Sequence, residues 1–210
     1  LILFSIGILT MVTILTLGFI LIYGRTTERH LISYGQKALD SETLYVNAII
    51  GSTKDLLDNV SLDADVSRLL NYESIPASDL LTGLRRLSNY ESSNYFIDSI
   101  YIYNRRNGNV YVSSPHMPEA VYKIDDFPDF EATEIFRDYS YVNNFEPVFR
   151  TFNSFFPSLS ELHYISFIRY NTLVKENDSN VIMVNVRQDM LSSLVSENEN
   201  IGELLLLMDN

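Results

Sequence analysis

The chain has 210 residues, with 27 acidic against 15 basic side chains and a formal net charge of −12; that acidic balance disfavours nucleic acid and anionic lipid headgroups as partners. It contains no cysteine, which excludes disulfides, thiol catalysis and zinc–thiolate sites. Its three histidines, His30, His116 and His163, stand far apart, and no phosphate-cradling, dinucleotide or nucleophile-elbow motif occurs, so the reading is not an enzyme: no catalytic residue, no metal and no cofactor.

The first 24 residues, LILFSIGILTMVTILTLGFILIYG, carry no charge. About 20 apolar residues at roughly 1.5 Å each cross a hydrocarbon core, so residues 1–24 are predicted to be a transmembrane helix. A cleaved signal peptide would have a shorter apolar region ending in small residues, whereas this run closes on Tyr23-Gly24-Arg25. Because the chain starts at Leu1, further sequence is expected ahead of it. Arg25 and Arg29 taken alone would place the following residues in the cytoplasm, but the opposing flank decides that comparison, and local charge leaves orientation open.

Residues 25–62 read as one long helix, with Ile32, Leu39, Thr43, Val46, Ile50, Thr53, Leu57 and Val60 near a three-four spacing. Two readings stand side by side. The helix packs on its own domain, or it is a stalk that pairs with a second copy as a homodimer, with Val46, Ile50 and Leu57 near the seam. Shorter helices follow: Asp63 or Asp65 caps one reaching Leu70, Ser78 caps one from Asp79 to Tyr90, and Pro76 breaks the chain between them. The pairs Arg85-Arg86 and Arg105-Arg106 read as solvated surface.

In DSIYIYNRRNGNVYVSS, residues 98–114, alternating runs flank an Asn-Gly pair, a strong hairpin signal because Asn and Gly tolerate positive φ. Simple parity puts Ile100, Ile102, Val110 and Val112 against helices and Tyr101, Tyr103 and Tyr111 on the other face. Residues 115–160 are rich in aromatics and too apolar for a linker. Two more strands, residues 163–170 and 180–186, flank the polar loop Val174–Ser179, and residues 187–197 form a short helix. The closing GELLLLMDN reads as a strand with no visible partner, the start of something longer. The order implies an α+β fold, one antiparallel sheet against the long helix.

The N-terminal span, the long helix, YFIDSIYIYNRRNGNVYVSS and the later VIMVNVRQDMLSSLV together resemble the extracytoplasmic Cache sensor region of Gram-positive membrane receptors. The likeness is greatest to transmembrane AraC-type transcriptional regulators, and related sensor histidine kinases of two-component systems carry similar ectodomains. The resemblance implies a PAS-like sheet outside the cell, with a membrane-distal sensor module over 63–200 and the start of a second module over 201–210. On that reading residues 25–210 are extracytoplasmic and anchored in the cell membrane through residues 1–24. They sense a small-molecule ligand of unspecified identity for an output domain downstream, and touch no nucleic acid themselves. The alternatives are the input of a histidine kinase and a membrane-anchored binding domain without output.

A ligand pocket needs a few polar groups converging within apolar walls. The candidates are Arg150, an arginine among aromatics suited to clamp a carboxylate, then Arg169 on the strand HYISFIRY, and the tyrosines Tyr101, Tyr103 and Tyr111. Against each stands a plainer role: a salt bridge or surface position for the arginines, sheet cover for the tyrosines. Some Cache domains that bind amino acids carry an arginine–tryptophan–tyrosine pattern. This chain has no tryptophan, so the pattern is not met.

Overall fold

The computed structural model describes residues 43–140, 142–154, 161–170 and 179–190, with single positions at 11, 33, 36 and 37. The chain divides into two compact units, Leu1–Tyr45 and Val46–Asn210. In the first, the described positions are all helical. Among the described residues no helix is long and apolar enough to cross a membrane. The predicted span over 1–24 lies outside them except for Met11, as do most of the predicted stalk before residue 43, the loop 174–178, the short helix beyond residue 190 and the closing strand.

The second unit opens with helix α1, residues 46–62. Its buried stripe is Ile49, Thr53, Leu56, Leu57 and Val60, the spacing of a helix with one face in a core. Leu57 therefore lies inside its own unit. Helix α2, Ala64–Asn71, starts on Asp63, whose carboxylate accepts the N–H groups of Asp65 and Val66. The other Asp63 oxygen accepts from Arg86 Nε at 2.7 Å and from the Tyr90 hydroxyl at 3.0 Å, both on α3. Arg86 lies at the surface as expected and is also an ion-pair partner. Helix α3, Ala77–Ser92, begins after Pro76 with no side-chain cap, ahead of the predicted Ser78 start. The fixed φ of proline suits a helix start. Where α2 and α3 meet, a Cβ on Gly83 would lie 2.6 Å from Leu69 Cγ; glycine is what lets the helices approach.

Six strands form one antiparallel sheet: β1 Ile97–Asn104, β2 Asn109–Ser113, β3 Val121–Lys123, β4 Pro147–Phe152, β5 Leu162–Tyr170 and β6 Val181–Arg187, in the order β3-β2-β1-β6-β5-β4. The expected mixed α and β architecture and the hairpin β1–β2 are present, and β5 and β6 stand where strands were predicted. Helices α2 and α3 pack on β1 and β2 from one face. Across the other face lies helix α4, Phe130–Arg137, whose Ala132, Ile135 and Phe136 join Tyr101, Tyr103, Val110, Val112 and Met183 in one buried cluster.

The hairpin corrects the simple parity. Asn104 pairs with Asn109 across a loop of residues 105–108, closed by Gly108 N–H to the Asn104 carbonyl at 2.9 Å with Gly108 at φ 68°. With that even-length loop Tyr101 faces Val112, and Ile102 faces Tyr111. Cross-strand partners share a face, so Val110 and Val112 join Tyr101 and Tyr103, while Tyr111 joins Ile100 and Ile102 on the helix side. The turn also anchors its neighbours. Buried Asn104 donates to the carbonyls of Leu69 and Tyr72 at 2.9 and 2.8 Å, covering the end of α2. Arg105, read as surface, donates to the Phe136 and Arg137 carbonyls at 2.8 and 3.2 Å, where a cation complements the carbonyl end of α4.

Candidate functional site

The face beneath α4 carries a chain of buried polar side chains within apolar strands. Strand β4 delivers Arg150 from the edge, opposite Tyr164 on β5. Its guanidinium donates through Nε to Ser166 Oγ at 2.8 Å, through Nη1 to Asp129 Oδ1 at 2.7 Å and through Nη2 to Asn185 Oδ1 at 3.0 Å. It also lies 5.7 Å over the Tyr164 ring. Asp129 is the cap of α4, its Oδ1 accepting the Ala132 N–H at 2.9 Å. Ser166 and Asn185 are neighbours on β5 and β6, and Asn185 Nδ2 donates to Ser99 Oγ on β1 at 2.9 Å. Two neighbouring strands and a helix start thus converge on one arginine, and Asn185 extends the chain to a third strand, β1.

A second group adjoins it. The β1–β6 register shifts between Ile97 and Ser99, so Asp98 is an extra residue. A bulge of this kind re-aims a side chain. Asp98 accepts the Tyr164 hydroxyl at 2.7 Å and stands 3.0 Å from His116 Nε2, with Arg187 Nη1 at 4.0 Å. Asp98 and His116 are both buried.

Most of these groups satisfy one another. Two do not: Asp129 Oδ2 and the Tyr101 hydroxyl are buried without a hydrogen-bond partner. Burial pushes the Tyr101 hydroxyl up from its ordinary pKa, and the Asp129 carboxylate pushes it further. Ser99 lies near enough to ease that shift without forming a bond of sound geometry. A buried polar atom without a partner costs about 1–3 kcal/mol, so such atoms in a native core call for an explanation.

The chain matches no family model and no curated protein. The site therefore has to be read from its own geometry.

Of the five sequence candidates, the structure brings Arg150 and Tyr101 together at this network and sets Tyr103 farther along the same face, stacked on Phe136 with ring centroids 5.4 Å apart. Tyr111 is on the opposite face, its hydroxyl accepting from Asn107 Nδ2 at 2.9 Å. Arg169 is also elsewhere: it pairs with Asp58 of α1 and lies 5.6 Å over the Phe145 ring. Sequence reasoning missed Asp129, Ser166, Asn185, Ser99, Asp98 and His116. Asn185 and Ser166 did leave a signal, a polar residue inside an otherwise apolar strand. Among the described residues no group of three or more His, Asp or Glu is placed to hold a metal ion. The arrangement offers hydrogen bonding and charge in a water-poor interior.

Proposed function

We propose that this chain is the extracytoplasmic ligand-sensing input region of a membrane-bound transcriptional regulator, a Cache-type, PAS-like module whose AraC-type output lies in other residues. The observation that carries the reading is the buried polar network between sheet and α4, left with two unpaired atoms. Binding sites are where proteins keep polar groups that packing alone would remove. The antiparallel sheet, with helices on one face and a polar interior under α4 on the other, is the kind of frame the sequence resemblance implies. A signal leaving this site has two physical routes: the start of α4, held by Asp129, and the exit of β6, where Arg187 sits between Asp98 and Asp189. Pairing with a second copy belongs to the same reading, and any seam along α1 uses faces other than the one that buries Leu57.

The test is a thermal-unfolding screen of the 210-residue chain in detergent micelles against amino acids, sugars, carboxylates, amines and nucleosides. A saturable rise in melting temperature is expected for at least one class, with NMR shifts concentrated at residues 98–101, 129–132, 150 and 185. A complete screen without stabilisation would end the sensing reading.

A further inference from the structure

Just ahead of β4 the chain turns at Asn143-Asn144-Phe145-Glu146, closed by the Glu146 N–H on the Asn143 carbonyl at 3.3 Å. A turn whose third residue has positive φ calls for glycine or asparagine there. Here that residue is Phe145, at φ 62°. Among the described residues it is the one non-glycine residue in the left-handed region. A bulky side chain there strains the backbone, and such strain persists only where the surroundings over-determine it.

The surroundings do so. The Phe145 N–H donates to the Ile168 carbonyl on β5 at 2.9 Å. The Asn144 side chain spans the Tyr170 backbone, donating to its carbonyl at 2.9 Å and accepting its N–H at 2.8 Å. What the strain secures is the place of the Phe145 ring, 5.6 Å beneath the Arg169 guanidinium, and Arg169 in turn pairs with Asp58 on α1. Glycine or asparagine would make the same turn at ease, but neither offers an aromatic face to the guanidinium. The Arg169–Asp58 pair is partly exposed, at 29% and 51% of the side chains. A pair so placed is weakened by the entropy of its long side chain unless that side chain is held.

We infer that Phe145 is a strained latch between the sheet and α1. With its backbone at positive φ the ring holds Arg169 on Asp58. Relaxation to negative φ swings the ring and the N–H away together and releases α1 from β5. The turn leads directly into the strand that carries Arg150, so the latch adds a third route to the two named above, ending on the helix that the sequence predicts as a stalk. It deepens the sensing role and rests on it for its trigger, the movement of β4.

The experiment reads hydrogen exchange of the α1 amides around Asp58 in the 210-residue chain in detergent micelles, with no ligand added. Phe145→Asn keeps the turn and removes the ring; it should speed that exchange about threefold, the contribution of an exposed cation–ring contact. Phe145→Tyr keeps the ring and should exchange as the wild type does. Asn144→Ala keeps the ring but frees the turn from Tyr170, and should speed exchange as Phe145→Asn does. In an Asp58→Asn background neither Phe145→Asn nor Asn144→Ala should add anything at α1, whereas a general loss of stability would add in full. The strain has its own readout: Phe145→Asn should melt above Phe145→Ala, because asparagine accepts positive φ. The latch is overturned if α1 exchange is untouched by Phe145→Asn or by Asn144→Ala, or if their effects persist at full size in the Asp58→Asn background. An alanine variant that melts above the asparagine one overturns it as well. Because no readout uses a ligand, the latch can fail with the sensing reading intact, and an empty ligand screen leaves the latch standing.

Discussion

Arg150 and Asp129 meet at 2.7 Å with 1% and 0% of their side chains exposed. Breaking a buried pair strands one charge in the interior, at about 3–5 kcal/mol. Arg150→Met should therefore lower urea-unfolding stability by roughly that amount, an effect on folding rather than on ligand capture alone. The double variant with Asp129→Leu should be clearly less destabilised than the sum of the two singles, since neither charge is then left behind. Simple additivity would mean the pair is not coupled.

Gly83 faces Leu69 across the α2–α3 contact, where a methyl group would sit 2.6 Å from Leu69 Cγ. Gly83→Ala raises helix propensity yet should destabilise by about 1–3 kcal/mol through overpacking. Adding Leu69→Ala should recover part of the loss contributed by Gly83→Ala, measured as a non-additive cycle in chemical denaturation. A stabilised Gly83→Ala single variant would show that the helices separate at no cost.

Asp63 links pH to stability. Burial raises its pKa, but the Arg86 guanidinium, the Val66 and Asp65 N–H groups and the Tyr90 hydroxyl together hold it below the ordinary 3.8. A carboxylate depressed in the folded state contributes stability that is full above the unfolded pKa and is lost as pH falls through the folded value. Unfolding free energy should therefore decline on acidification below about pH 4, and Asp63→Ala should flatten that decline. At neutral pH the same variant should lose about 1 kcal/mol for the missing helix cap. An acid limb identical in wild type and variant would assign the decline to other carboxylates.

Orientation is accessible because the sequence has no cysteine. Arg106, exposed in the turn of residues 105–108, is a convenient position. In intact protoplasts Arg106→Cys should react with a membrane-impermeant maleimide, as an extracytoplasmic sensor requires. Labelling that appears only after lysis would put the sheet on the cytoplasmic side.

Legibility followed local pattern. Strands β1, β2, β5 and β6 announce themselves by runs of β-branched and aromatic residues, and the Asp63 cap by its position before an amphipathic turn. Strand β4 did not: PVFRTF opens with proline and is largely exposed on alternate residues, which an edge strand tolerates but which hides it in an aromatic-rich stretch. Arg150 was visible as an arginine among phenylalanines. Its partners were not, because Asp129, Ser166 and Asn185 come together only through strand order and the placement of α4. The parity error at Tyr111 has the same origin, since alternation reveals two strands but not the length of loop that joins them.

That loop constrains how the protein can vary. Surface turns ordinarily tolerate a residue gained or lost. Between Asn104 and Asn109 a change of length leaves the interior alone only while those two residues still face each other. A slip of the pairing by one residue would carry Val110 and Val112 out of the interior under α4 and bring Tyr111 in beside Tyr101. This small turn therefore acts on the interior through the register it sets, and the variants it tolerates are those that keep Asn104 opposite Asn109.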